Sequence, residues 1–139
     1  MGPGAAAQAS RTAPVVTGLL DTAVLVDLLR SYEPSRDWLA EQPRLGIVPI
    51  VWLEIIEGAE NLRAQRRAVE LLRHFERVEL EPSDFDWAIG QALRLRLSHS
   101  VDVMDCAIVA ADHRLGLPLY TRNLKHFEPM LGSLARKPY

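Results

Sequence analysis

Val15-Val16-Thr17-Gly18-Leu19-Leu20-Asp21-Thr22-Ala23-Val24-Leu25 is the stretch on which the fold turns. Its first half is a short apolar run, the pattern of a strand buried on both faces. The run stops at Asp21, and Val24, Leu25, Leu28 and Leu29 then recur at helical spacing. A buried strand feeding directly into a helix opens a βαβ unit, so the sheet should be parallel and covered by helices on both faces.

The same grammar repeats downstream. Gly46-Ile47-Val48-Pro49 reads as a second strand stopped by proline, and 50–58 as a helix closed by Gly58. Between the first two strand–helix units, 35–41 forms a short helix capped by Ser35, with Trp38 and Leu39 inward. Asn61 opens a longer helix with the stripe Leu62, Val69, Leu72 and Phe75, and 77–80 alternates as a third strand. Pro82-Ser83 opens a helix carrying Phe85, Ile89 and Ala92. Its end, Leu93-Arg94-Leu95-Arg96-Leu97, has period two and is assigned to the helix by continuity. Met104, Ile108, Ala111 and Leu115 form one further helical stripe ended by Gly116, and 117–121 is the last strand.

Composition bounds the function. The chain has 139 residues, a formal charge of −2, 48% hydrophobic and 24% charged residues, which fits one globular domain and excludes disorder throughout. The uncharged run from Leu45 to Leu53 falls well short of the roughly 20 residues of a membrane span. Residues 1–14 hold Gly, Ala, Ser and Pro without an acid or an aromatic. They are expected to be a disordered leader or a cloning remnant, and they lack the basic-then-apolar order of a secretory signal. The cytoplasm is the expected compartment. A single cysteine, Cys106, excludes an internal disulfide and a cysteine-built zinc site. All 16 basic residues are Arg except Lys125 and Lys137. Arg forks suit phosphate contact, although a GC-rich genome produces the same bias.

In a parallel sheet the functional groups gather at the carboxyl ends of the strands. That rule selects Asp21, the helix after Pro49, and the segment after Tyr120. Asp21 is a candidate ligand or a helix N-cap. Glu54 is an acid among Ile50, Val51, Trp52, Leu53, Ile55 and Ile56, so it lies on a narrow solvent strip or faces a site that stabilises its charge. Asp102 and Asp105 share one face of a helix's first turn, where the dipole favours acids by about 0.3–1 kcal/mol and capping is a real alternative. Acids gathered at strand tips describe an oxygen-only site for a hard cation such as Mg²⁺ or Mn²⁺. Such a cage acidifies a water and holds the oxygens of a phosphodiester. His74, His99, His113 and His126 are too scattered for zinc. There is no glycine-rich phosphate loop and no G-x-S-x-G elbow, and Ala23 cannot serve as the second acid of an aspartyl-phosphate phosphatase.

Four segments in order resemble the PIN-domain nucleases, and among them the VapC-type toxins of bacterial toxin–antitoxin pairs. They are Leu19-Leu20-Asp21-Thr22-Ala23-Val24-Leu25, Glu54-Ile55-Ile56-Glu57-Gly58, Asp105-Cys106-Ala107-Ile108-Val109-Ala110-Ala111, and Leu119-Tyr120-Thr121-Arg122-Asn123-Leu124-Lys125-His126-Phe127. The resemblance covers nearly the whole body and implies that 15–139 is a single PIN domain. It implies a three-layer α/β/α fold on a central parallel sheet of four to five short strands. It also implies an Mg²⁺-dependent endoribonuclease, with Mn²⁺ as substitute, acting as the toxin of a toxin–antitoxin pair. Carried over by position, Asp21, Glu54 and Asp105 hold the metal, with Asn123 at the place where many relatives have a fourth acid or Asn. Asp102 supplies or supports the missing charge. Arg122 steers RNA phosphates or is a solvated loop charge. Two positions depart from the pattern: Ala23 stands for the common Asn or Ser, and Val51 for a frequent Thr or Ser. The implied partners are RNA, a cognate antitoxin and a second copy, with the dimer and an adjoining apolar groove expected around Trp52, Ile55 and Ile56. The alternative is a PIN-like module that binds RNA or protein without cutting.

Overall fold

The computed structural model describes residues 16–139; the expected leader, 1–14, lies outside the described residues. Strand β1 (Gly18–Leu20) is buried throughout, and Asp21 ends it in extended conformation as the N-cap of α1 (Thr22–Leu29). Helix α2 (Glu33–Ala40) leads to β2 (Leu45–Ile47), and Pro49 starts α3 (Pro49–Glu57), the position where a missing N–H costs nothing. Helix α4 (Leu62–Leu72) is capped by Asn61, whose side chain accepts the Ala64 N–H at 2.8 Å. Strand β3 (Glu76–Arg77) and the long α5 (Pro82–His99) follow, then α6 (Val103–Ile108) and α7 (Ala110–Leu115). The chain closes with β4 (Leu119–Tyr120), α8 (Leu124–Leu131), one 3₁₀ turn and β5 (Ala135–Arg136).

The five strands lie in the order β3-β2-β1-β4-β5, and every pair is parallel. Helices cover the sheet, giving the three-layer α/β/α architecture expected from the sequence. The chain leaves β1 toward β2 on one side and returns to β4 on the other. The strand order therefore reverses between β1 and β4, and the crevice at their carboxyl ends is where ligands bind in such sheets. Leu19, Leu20, Val24, Leu25, Ile47 and Leu119 are almost wholly buried and tie β1, β2, β4 and α1 into one core.

Several faces differ from the sequence-based expectation. In α2 the cap is Tyr32, and Ser35 lies inside the first turn, where its buried hydroxyl donates to the Tyr32 carbonyl at 2.6 Å. In α4 the inner line is Ala68 and Leu72, while Leu62 is 59% exposed. In α5, Phe85 and Ile89 point outward and Asp84, Ala88 and Leu95 point inward. The reason is polar: Asp84 closes a capping box with Glu81 and takes the Arg114 guanidinium at 2.9 Å, which sets the helix rotation. The stripe from Met104 to Leu115 spans two helices with a joint at Val109 rather than one. In α3, Ile55 is buried in the core and Leu53 is the exposed residue. Strand β5 and helix α8 have no counterpart in the sequence reading.

Gly46 of β2 pairs with Glu76 of β3. A Cβ there would stand 2.8 Å from Val78 Cγ2 and 3.1 Å from the Glu76 carbonyl oxygen. Gly90, on the exposed side of α5, has nothing within 4 Å. Gly46→Ala should therefore destabilise the fold by about 1–3 kcal/mol. Gly90→Ala should stabilise it by about 0.5–1 kcal/mol. Denaturant unfolding of both variants checks the pair; equal effects would contradict the packing described.

Candidate functional site

Asp21 is the centre of the crevice. It is 5% exposed, and its backbone N–H donates to the Tyr120 carbonyl at 3.2 Å, so the tips of β1 and β4 are stitched together beneath it. The fully buried Thr121 donates its hydroxyl to Asp21 Oδ2 at 2.6 Å, and the Asn123 N–H donates to that same hydroxyl oxygen at 2.9 Å. Burial pushes the Asp21 carboxyl above its ordinary value. The Thr121 hydroxyl, the amides of Ala23 and Thr22, and the charge of His126 pull the other way without cancelling it.

Glu54 comes from the other side of the crevice. It is half-buried on α3, and its Oε1 accepts the Thr22 hydroxyl at 2.8 Å. Thr22 is the residue after Asp21, so the chain anchors both acids with adjacent positions. Asp105 rises from the first turn of α6, half-buried. Its carboxyl is pushed up to about 7, first by burial and then by the charges of Asp102, Asp21 and Glu54. Asp105 thus lies within electrostatic reach of the other three acids selected from the sequence.

Their roles are not equivalent. Asp102 is exposed and caps α6, accepting the Met104 N–H at 2.9 Å, so the capping reading describes what its side chain does here. Asn123 is exposed at the start of α8 and contributes only its backbone N–H to the Thr121 relay. Arg122 is engaged away from the acids: it pairs with Asp27 at 3.0 Å and lies over the rings of Tyr32 and Tyr139 at 5.5 and 6.0 Å. Asp27 also accepts the Tyr139 hydroxyl, which fastens the end of the chain to α1.

Three residues that sequence reasoning passed over belong to this region. Thr22 and Thr121 were visible as hydroxyls flanking strand tips. Asp112 was visible as an acid four residues after the buried Ile108, on the inward face; it is fully buried in α7. Among the described residues, no group of three His, Cys, Asp or Glu side chains stands close enough together to hold a metal ion without rearrangement. The donor set is nonetheless all oxygen, the chemistry that hard divalent cations prefer. Mutual repulsion at Asp105 is what a cation would relieve.

Because the folded protein keeps the Asp105 proton up to about pH 7 while the unfolded chain loses it near 3.8, stability must fall as pH rises through that window. Asp21 shifts the same way. Asp84 shifts oppositely: burial raises it, but Arg114, the Glu81 amide and His113 together outweigh that and bring it below the ordinary range; its loss of stability is confined to pH below about 4. In chelator-treated protein, the unfolding temperature should therefore decline between about pH 5 and pH 7, and Asp105→Asn should flatten that decline. A parent whose unfolding temperature does not fall over this range contradicts the clustering.

The PIN domain family's sequence pattern matches residues 18–128. No curated protein matches the chain by sequence. Among solved structures, the chain is similar to a toxin–antitoxin complex from Klebsiella pneumoniae at 25% identity and a TM-score of 0.72, over 88% of this chain and 98% of that one. It shares its fold with DNA-bound VapBC from Salmonella typhimurium (23% identity, TM-score 0.66, 82% of this chain and 92% of that one). The same holds for VapBC2 from Rickettsia felis bound to a promoter fragment (19% identity, TM-score 0.64, 80% and 90%). The pattern runs from β1 into α8 and the three-layer fold carries it throughout: the chain belongs to the PIN domain family.

Proposed function

We propose that the protein is an Mg²⁺-dependent endoribonuclease, with Mn²⁺ as a working substitute, and the toxin of a toxin–antitoxin pair. The observation that supports this reading most is the placing of Asp21 by the Thr121 hydroxyl and of Glu54 by the Thr22 hydroxyl, with Asp105 in the first turn of α6. The three acids come from three separate segments at the carboxyl ends of a parallel sheet, in a family of nucleases. Asp21, Glu54 and Asp105 would hold the cation, with Asp102 at the exposed edge. The bound cation supplies positive charge to a scissile phosphate and acidifies a water.

The protein's own residues prepare that chemistry. Thr121 and Thr22 each occupy one oxygen of their acid, Asp21 Oδ2 and Glu54 Oε1, which fixes the rotamers and directs the other oxygen for use. The packing behind Asp21 excludes water from its core side. The absence of a ready three-acid cluster among the described residues favours a second reading, a module that binds RNA without cutting.

Two surfaces suit the proposed partners. A groove of about 370 Å³ between α1, α3 and α4 is floored by Val26, Leu29, Ile55 and Ala68 and opens onto Thr22 and Glu54. It suits an antitoxin segment with apolar anchors and one basic side chain reaching the acids. Separately, Phe85, Ile89, Leu93 and Leu97 recur every four residues along α5, with Leu93 81% and Leu97 97% exposed, beside Val103. That stripe, rather than Trp52, Ile55 and Ile56, is the apolar face available to a second copy.

The purified chain should cleave RNA with Mg²⁺ and stop in chelator. Asp21→Asn, Glu54→Gln and Asp105→Asn should each lower the rate by more than about 100-fold without lowering the unfolding temperature. Asp102→Asn should lower it by about 10-fold. RNA binding without Mg²⁺-dependent cleavage by the parent would establish the second reading instead. By light scattering the parent should be a dimer and Leu97→Asp a monomer that the antitoxin still inhibits. A monomeric parent at high micromolar concentration contradicts the dimer face, and loss of inhibition contradicts the separate groove.

A further inference from the structure

Tyr120, Thr121 and Arg122 follow one another at the tip of β4, and their side chains go to two places. The Thr121 hydroxyl reaches Asp21 in the crevice, while Tyr120 and Arg122 meet a group of aromatic rings that includes Tyr32 and Trp38. Side chains alternate in this way along extended backbone. The Thr121 N–H donates to the Arg136 carbonyl at 2.9 Å, so the pairing with β5 runs one residue past Tyr120.

The hold on Arg122 has several parts. Its guanidinium donates to Asp27 Oδ2 at 3.0 Å, and the Tyr139 hydroxyl donates to that same oxygen. The guanidinium carbon lies 5.5 Å from the centre of the Tyr32 ring and 6.0 Å from that of Tyr139, within range of attraction to the ring faces. Tyr139 in turn packs on Tyr32 at 5.8 Å and on Trp38 at 6.1 Å, and Trp38 meets Tyr120 edge-on at 4.9 Å. One connected group therefore grips the residue before Thr121 and the residue after it.

An isolated surface ion pair holds a loop weakly. This one is anchored on α1 by an acid that is itself buried, and a buried carboxylate is costly without partners. Arg122 and Tyr139 are those partners, so satisfying Asp27 draws residue 122 against α1. The bond that this arrangement protects is short. Thr121 gives its proton to Asp21 Oδ2 at 2.6 Å while its oxygen takes the Asn123 N–H at 2.9 Å. A shift of about 1 Å in this loop would carry Thr121 out of hydrogen-bond range of Asp21.

We propose that Asp27 and Tyr139 are positioning residues for the crevice: by holding Arg122 against α1 they fix the loop from which Thr121 sets the Asp21 carboxylate. The proposal rests on the reading of Asp21 as part of a cation site. Asp27, Tyr139 and Arg122 act through Thr121 and touch neither cation nor RNA.

The test compares the parent with Asp27→Ala, Arg122→Ala and the double variant. Half-saturating Mn²⁺ is read by water-proton relaxation, alongside RNA cleavage kinetics and thermal unfolding. Each alanine variant should raise the half-saturating Mn²⁺ concentration about tenfold and lower kcat, with KM for RNA unchanged. The double variant should be no worse than the more impaired single one, because both remove the same link. Asp27→Ala and Arg122→Ala change the net charge in opposite directions, so a shared direction of effect separates positioning from long-range electrostatics. If Asp27→Ala does not fold, Tyr139→Phe removes one hydroxyl and should shift Mn²⁺ binding and kcat the same way by about threefold. A lowered unfolding temperature with parent-like Mn²⁺ binding and kcat would make the cluster a clamp for stability alone. A raised KM in Arg122→Ala with parent-like Mn²⁺ binding would make Arg122 an RNA contact. Opposite shifts in the two alanine variants would make the effect one of charge; any of these three results overturns the proposal. A parent that binds no Mn²⁺ saturably refutes the cation reading itself, and the proposal with it.

Discussion

The Thr121 hydroxyl seated on Asp21 Oδ2 at 2.6 Å joins the two strands between which the sheet reverses its order. Without that bond, a carboxylate only 5% exposed at the end of an apolar strand would have no side-chain partner to offset its burial. With it, the tip of β1 becomes a rigid point from which α1 starts, and Thr22 is carried to where it holds Glu54. The acids of the crevice are therefore placed by the hydrogen bonds that secure the sheet's centre. The same topology half-buries Asp105 near other acids, and burial first, then the charges of Asp102, Asp21 and Glu54, raises its carboxyl.

Much of this was readable in the amino-acid sequence where burial follows from periodicity. The run ending at Asp21 could only be a buried strand, and Asn61 and Pro49 marked helix starts by side-chain chemistry that acts within a few residues. Glu54 and Asp105 stood out because each interrupts or opens an apolar run. What escaped depended on partners distant in sequence. The rotation of α5 is set by Arg114 reaching back thirty residues to Asp84, so the stripe from Phe85 to Leu97 was outward although its composition is that of a core. Strand β5 is two residues long and is defined by its neighbour β4 alone. Asp112 stands four residues after Ile108 of the apolar stripe, yet its complete burial is seen only in the structure.

Arg122 illustrates how a charge near a site can be spoken for. Its position in the fourth segment invites a role with phosphates, yet Asp27 and the rings of Tyr32 and Tyr139 hold it. The same aromatic group, with Trp38 packed on Tyr120 at 4.9 Å, clamps the end of the chain across the top of β4. Arg30 and Arg67 line the groove leading to Glu54, and Arg67 donates to the Leu29 carbonyl at 3.0 Å.

The central claim is that Asp21, Glu54 and Asp105 form one divalent-cation site at the β1–β4 crevice. Water-proton relaxation during an Mn²⁺ titration counts bound ions directly and needs no substrate. The account predicts saturable Mn²⁺ binding by the parent, displaced by Mg²⁺ and lost in both Asp21→Asn and Asp105→Asn. Saturable binding that survives both substitutions at unchanged affinity would place the cation elsewhere and contradict the account.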